Sequence, residues 1–257
     1  LTPLFLDEDR RSVRALLRGV AARSTAEQRL AGLIPTPSLP EKALEALAAQ
    51  TTISGIVALL TAWSHPFGAP LLDEGRKPKP DLLRLDLTVN AQYAAEALRE
   101  AKRAPLGSAI RGELTTYVAE MADLENASTA LQLASHQSSI DPAQLFLVGG
   151  RHLDREQFLA AARAGDPARV RSVLARTFRG TPLAAVFELT SRDFEAAALA
   201  AQLRRATAAA RMAPLGAAPV VAFWLRLRAQ MRDLRSIIWH VALGAPPAGA
   251  DALLTPV

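Results

Sequence analysis

Cysteine is missing altogether from this chain of 257 residues. Its absence excludes disulfides and thiolate metal sites and fits a reducing compartment. Aromatic residues make up only 5%, and glycine and β-branched residues are sparse. No segment alternates apolar and polar residues between turn signals, so no strand is expected. No apolar run reaches the ~20 residues of a membrane-spanning helix, and no signal peptide is evident. The four histidines, His65, His136, His152 and His240, form no HExxH pair, so zinc would need carboxylates gathered from afar. A nucleophile elbow, a phosphate loop ending in Gly-Lys-Ser/Thr and a GxGxxG fingerprint are all lacking. The carboxylates do not pair up. Asp7, Glu8 and Asp9 are expected at a helix start, where negative charge is favourable, and Asp123 and Glu125 point in different directions. Nothing in the chain calls for a cofactor or a catalytic site, which favours an assembly role over an enzyme.

What is present is a helical composition. Half of the residues are apolar, and alanine, leucine and arginine lead both the composition and the helix-propensity scale. The formal net charge is +5. The arginines are scattered rather than gathered into a tail, so solvated helix faces account for them better than a nucleic-acid interface.

The chain repeats itself. Asp9-x-x-Ser12-Val13-x-x-Leu16-Leu17-Arg18 is echoed by Asp123-x-x-Asn126-Ala127-x-x-Ala130-Leu131-Gln132, and again by Gln230-x-x-Asp233-Leu234-x-x-Ile237-Ile238-Trp239. Without a gap, the register of the first two copies carries Leu33–Leu39 onto Leu147–Leu153, Leu44 onto Phe158, Thr52 onto Asp166, Ile56 onto Val170, Leu59 onto Val173 and Leu60 onto Leu174. Gly149-Gly150 therefore reads as a shared turn with Pro35-Thr36, not as a phosphate loop. Ala104-Pro105-Leu106-Gly107 recurs as Ala213-Pro214-Leu215-Gly216 ahead of the second and third motifs. The lead-in helix of the first copy is expected upstream of Leu1.

The motif is helical, because Val13, Leu16, Leu17 and Val20 form one apolar stripe. Leu234, Ile237, Ile238 and Val241 repeat it, and the smaller Ala127, Ala130 and Ala134 predict closer packing around Leu131. Ser38-Leu39-Pro40-Glu41 reads as a capping box with Ser38 as N-cap. Thr52, Asp166-Pro167, Thr181-Pro182, Asp141-Pro142 and Ala218-Pro219 read as further helix starts. Helices are expected near 6–22, 41–50, 53–63, 81–103, 108–135, 155–165, 167–178, 183–211 and 219–243. Pro66 to Pro80 reads as an exposed loop. Asn126-Ala127-Ser128 matches a glycosylation sequon but lies inside a helix, which argues against its use. Trp224, Trp239 and Phe223 are expected to be core. The boundaries read as 1–107 for the first unit, 108–216 for the second and 217–257 for a partial third.

The repeated Asp-x-x-Asn-Leu-x-x-Leu-Leu-Arg pattern resembles the C subunit of V-type and A-type rotary ATPases. The most telling stretch is the last copy, with Arg232-Asp233-Leu234-Arg235-Ser236-Ile237-Ile238 and then Leu243-Gly244-Ala245-Pro246-Pro247. Here Ala229-Gln230 stand where that family has acidic residues, and Arg18 becomes Gln132 and Trp239 in the later copies. The resemblance implies an all-α, funnel-shaped subunit, with three similar helical bundles around a pseudo-threefold axis. It implies a non-catalytic adapter at the cytoplasmic face of the membrane, joining the central shaft to the membrane rotor ring. Its partners would be other ATPase subunits, with no nucleic acid and with the membrane met only through the complex. Two kinds of partner contact follow. Asp9, Ser12, Asp123, Asn126, Gln230 and Asp233 could line a polar socket, although local capping or bridging explains such residues at least as well. Arg10, Arg14 and Arg18, with Arg228, Arg232 and Arg235, could meet an acidic partner, with Gln132 in the place of Arg18 in the second copy. Solvated faces are the simpler account. The competing functions are a basic helical nucleic-acid-binding protein, which lacks a helix-turn-helix signature or aromatic platform, a helical scaffold unrelated to ATPases, and a helical enzyme with a buried polar pocket.

Overall fold

A computed structural model describes residues 1–103, 107–135, 141–188, 194–244 and 254–255, with the backbone alone for Ser108 and Glu188. Every regular element among them is helical, as expected. The chain divides into two compact units, Leu1–Ala104 and Pro105–Val257. The third copy of the motif lies within the second unit.

The first unit holds α1 (Thr2–Ala21), α2 (Ala26–Leu30), α3 (Glu41–Ala48), α4 (Ile53–Ala62), α5 (Gly68–Gly75) and α6 (Leu82–Arg103). The stripe Val13, Leu16 and Leu17 is fully buried, together with Leu44, Leu47, Ile56 and Leu60. Helix α1 starts at Thr2, with Pro3 in its first turn, earlier than the periodicity alone predicts. Asp7, Glu8 and Asp9 consequently leave the helix start and sit in its second turn, where all three are buried.

Two elements of this unit escape sequence reasoning. Thr25 and Gln28 form a capping box that opens the short α2. Residues 66–80, expected as an exposed loop, instead contain α5, with Phe67 and Leu71 fully buried. Glycine here serves close approach rather than looseness. A Cβ on Gly68 would stand 2.6 Å from the Thr61 nitrogen, and one on Gly75 would stand 2.7 Å from Val57 Cγ2. The two glycines, two helical turns apart, let α5 lie directly on α4.

The second unit holds α7 (Ser108–Ser135), a single 3₁₀ turn (Pro142–Gln144), α8 (Arg155–Ala162), α9 (Pro167–Thr177), α10 (Ala185–Glu188), α11 (Phe194–Met212) and α12 (Ala218–Ala242). The long helix expected over 183–211 is seen as α10 and α11, and residues 189–193 between them lie outside the described set. The burial pattern follows the repeat register. Phe158, Val170 and Leu174 are fully buried like their counterparts Leu44, Ile56 and Leu60, and Leu59 and Val173 are both half-buried. Helix α11 is alanine-rich and packs against the first half of α12. Small side chains bring the two backbones close.

Helix starts follow the caps read from sequence in most cases. Thr52 Oγ1 accepts the Gly55 N–H at 3.1 Å, and Asp166 Oδ1 accepts those of Ala168 and Arg169 at 2.9 Å each. Asp141 caps only the 3₁₀ turn. Thr181 caps a turn whose helix begins later, at Ala185. Ser38 is not an N-cap. Pro40 occupies that position on α3 without a side-chain bond, and the Ser38 hydroxyl is directed to Asp9, as the site geometry below explains.

Candidate partner-binding surfaces

The repeated motif works as a clamp. In the first unit, Asp9 accepts hydrogen bonds from Thr36 Oγ1 and Ser38 Oγ, each at 2.5 Å. Thr36 in turn accepts the Leu39 N–H at 2.9 Å, which closes the turn onto α1. In the second unit Asp123 grips the equivalent turn by its backbone, accepting the N–H groups of Arg151, His152 and Leu153 at 3.0 Å each. The exchange of hydroxyls for amides has a steric cause. Gly150 stands where Thr36 stands in the first copy, and a Cβ there would come within 2.1 Å of Asp123 Oδ1. Burial pushes the Asp123 carboxyl above the usual carboxylate range, and the three amides pull against that. Asn126 adds a two-way bond to Leu147, donating to its carbonyl and accepting its N–H, both at 2.8 Å. With both functional groups engaged and the residue buried, Asn126 offers no acceptor site for a glycan. The third copy clamps with Asp233, whose Oδ1 accepts Thr255 N–H at 2.9 Å and Thr255 Oγ1 at 2.8 Å.

His65 completes the first clamp, with Nε2 3.4 Å from Asp9 Oδ2 and Nδ1 accepting the Phe67 N–H at 3.3 Å. That second bond assigns the Nε2–H tautomer to the neutral ring. Ser38, Asp9 and His65 thus meet, but not as a nucleophilic triad, because the hydroxyl donates to the carboxylate and not to the imidazole. The Ser12 hydroxyl is buried nearby without a hydrogen bond.

The first arginine stripe faces inward. Arg10 is 1% exposed. Its Nη2 lies 2.7 Å from Asp7 Oδ1, its Nη1 donates to Asn90 Oδ1 at 2.9 Å, and its guanidinium lies 5.3 Å from the centre of the Tyr93 ring. Arg14 donates to the same Asn90 oxygen at 3.3 Å and lies 3.4 Å from Asp86. Arg18, more than half exposed, reaches Asp86 as well. The stripe is therefore a ladder joining α1 to α6, not the solvated face expected from sequence. Asp86, Asn90 and Tyr93, at i, i+4 and i+7 on α6, are the partners that sequence reasoning missed, and their spacing was the available signal.

On α12, Arg228 donates to the Tyr117 hydroxyl at 2.9 Å, and Arg232 lies 3.3 Å from Asp233. Arg235, Gln230 and Gln132 are exposed. Asp9, Ser12, Asp123 and Asn126 are buried within their own units.

A further charged group crosses the second unit. Arg205 of α11 stands 2.7 Å from Glu113 and 2.7 Å from Glu120, both on α7. One guanidinium serves two carboxylates, and burial raises the Glu120 carboxyl to about 7. Burial raises Glu8 in the first unit to about 7 in the same way. A carboxyl raised in the folded state binds a proton that the unfolded chain has already lost. Its contribution to stability is complete below the unfolded value of 4.5 and is lost as pH rises toward 7. Glu120→Gln is expected to flatten that slope, so that the variant gains about 3 kcal/mol on the wild type between pH 4.5 and pH 8. Urea titrations across that range check it, and parallel curves would show that Glu120 does not titrate there.

Among the described residues no group of three or more His, Asp or Glu is placed to hold a metal ion, and no helix is long and apolar enough to cross a membrane. A helical repeat protein whose polar residues fasten its own turns and helices belongs to the class of scaffold and assembly proteins. The chain belongs to the ATP synthase (C/AC39) subunit family, whose model matches residues 4–250. No curated protein matches it in sequence. Family membership makes it a subunit of a rotary ATPase that associates with the other subunits of that complex.

Proposed function

We propose that the chain is the non-catalytic adapter of a V/A-type rotary ATPase, joining the central shaft to the membrane rotor ring at the cytoplasmic face and passing torque between them. The family match over residues 4–250 carries this reading. The clamps support it. Torque transfer needs units that do not shear, and each motif helix is tied to the following turn by buried bonds to one carboxylate or amide. Close-packed interiors held in this way transmit strain. Of the residues considered for partner contact, the exposed Arg18, Gln132, Gln230 and Arg235 are the ones a shaft or ring could touch directly. Half-buried Arg14, Arg232 and Asp233 are set behind them, and Asp9, Ser12, Asp123 and Asn126 act by holding the units in shape.

The test is removal of the subunit from the native complex. Detergent-solubilised membranes should yield shaft and ring proteins with a tagged copy. A strain lacking the chain should hydrolyse ATP in the soluble sector without ion movement across the membrane. Recovery of neither shaft nor ring, or pumping that persists without the chain, would overturn the proposal.

A further inference from the structure

Four equivalent positions behave differently in the first and third copies. In the first, Val13, Leu16, Leu17 and Val20 are 0%, 0%, 0% and 9% exposed. In the third, Leu234, Ile237, Ile238 and Val241 are 55%, 41%, 64% and 71% exposed, against the sequence expectation of a buried stripe. The same pattern is an interior seam in one place and a bare surface in the other. Trp239 and Phe223, expected as core, are exposed as well, at 62% and 65%.

The bare region has two faces. Along one, Phe223, Leu227, Leu234, Ile238 and Val241 follow helical spacing down α12 and are all exposed. On the opposite face, Val221, Leu225 and Ala229 are buried. Trp239 and Leu243 continue that face in register, yet both are exposed. The C-terminal half of α12 is therefore apolar nearly all round, a composition that belongs in an interior. The apolar patch is also too continuous for a scatter of single surface residues.

Charge points to the occupant. Helix α12 carries Arg226, Arg228, Arg232 and Arg235 against one acid, Asp233. Arg226 and Arg235 flank the stripe on its two sides and are exposed. Two copies of this chain meeting at α12 would bring these like charges together, whereas a partner with acidic flanks would pair with them. The other copies supply the shape. Helix α7 is covered by α8 and α9 on one side and by α11 and α12 elsewhere, so a motif helix takes helices on more than one face.

We infer that the C-terminal half of α12 is a docking surface for a helical pair of a partner polypeptide, apolar toward α12 and acidic along its edges. The inference holds whichever subunits the chain links.

The absence of native cysteine gives a clean probe. Ile238→Cys carries a benzophenone maleimide in the assembled complex, and the crosslinked peptide is sequenced by mass spectrometry. The expected product joins Ile238→Cys to a peptide of another chain, with apolar residues at i, i+3 and i+4 and Asp or Glu beside them. Leu234→Glu with Ile238→Glu should leave helicity and melting temperature unchanged, since both sites are exposed. Incorporation of the doubly substituted chain into the complex should fall about tenfold. Arg226→Glu with Arg235→Glu should weaken it further at low salt than at high salt. A crosslink to a second copy, a crosslink within the same chain, no crosslink, or unaltered incorporation of both variants would each overturn the inference.

Discussion

Asp123→Ala is expected to lower the stability of the second unit by about 3–5 kcal/mol. The carboxylate is fully buried and takes three backbone N–H groups of one turn. Hydrogen bonds to a charged group contribute about 1.5–3 kcal/mol each, and a buried donor left without an acceptor costs about 1–3 kcal/mol. The three losses are not additive, because the freed turn can move toward water. Even so, that motion uncouples α7 from the segment leading into α8. Asp123→Asn should cost less, about 2 kcal/mol, since its carbonyl still serves the Arg151 and His152 amides while its NH₂ faces that of Leu153. Thermal melts followed by circular dichroism read both variants, and the alanine change corresponds to a drop of roughly 10 °C. If the alanine variant melted within 2 °C of wild type, the clamp would not be what holds the turn. Asp9→Ala offers the comparison in the first unit, where the turn grips by hydroxyls and has other routes to satisfy itself.

The sequence displays the clamp's existence but not its mechanism. Asp9, Asp123, Leu33–Leu39 and Leu147–Leu153 stand in one register, so that a helix and a turn must be paired twice over is legible. Which atoms pair is not. Thr36 and Gly150 share a register position with opposite chemistry, and only the 2.1 Å approach to Asp123 shows why glycine is needed. Ser38 illustrates a rule outcompeted. Its spacing to Glu41 satisfies the capping pattern, yet a buried carboxylate 2.5 Å away is a stronger acceptor site for its hydroxyl than an exposed amide is a donor. The missed α5 follows from reading Gly and Pro as punctuation when Gly68 and Gly75 serve contact with α4. The exposed stripe on α12 was hidden for a different reason. Periodicity reports that a face is apolar, and it cannot report what lies against it. The inward arginines mislead in the converse way, because a charge stripe looks solvent-facing unless the partner stripe on α6 is set beside it.

That ladder leads to the second large effect. Arg10→Ala is expected to destabilise the first unit by about 3 kcal/mol, toward the lower end of the cost of breaking a buried pair. The cost comes from what remains behind. Asp7 is 1% exposed, and its Oδ1 would lose the 2.7 Å and 2.9 Å contacts to the Arg10 guanidinium. Asn90 would lose one of its donors, and the Tyr93 ring would lose its cation. Arg11, 3.6 Å from the other Asp7 oxygen, moderates the loss. Arg10→Lys should recover only part of it, since an ammonium cannot reach Asp7 and Asn90 with a planar fork while lying against an aromatic ring. Replacing both partners, with Arg10→Met and Asp7→Leu, should return stability close to wild type, because no charge is then stranded. Urea unfolding of the two single variants and the double variant gives the coupling directly. A double variant no more stable than Arg10→Met alone would mean that the cost lies in packing rather than in the orphaned carboxylate. A restored double variant would show that the ladder's role is registry, fixing α1 against α6 through paired positions that an apolar seam would leave free to slide.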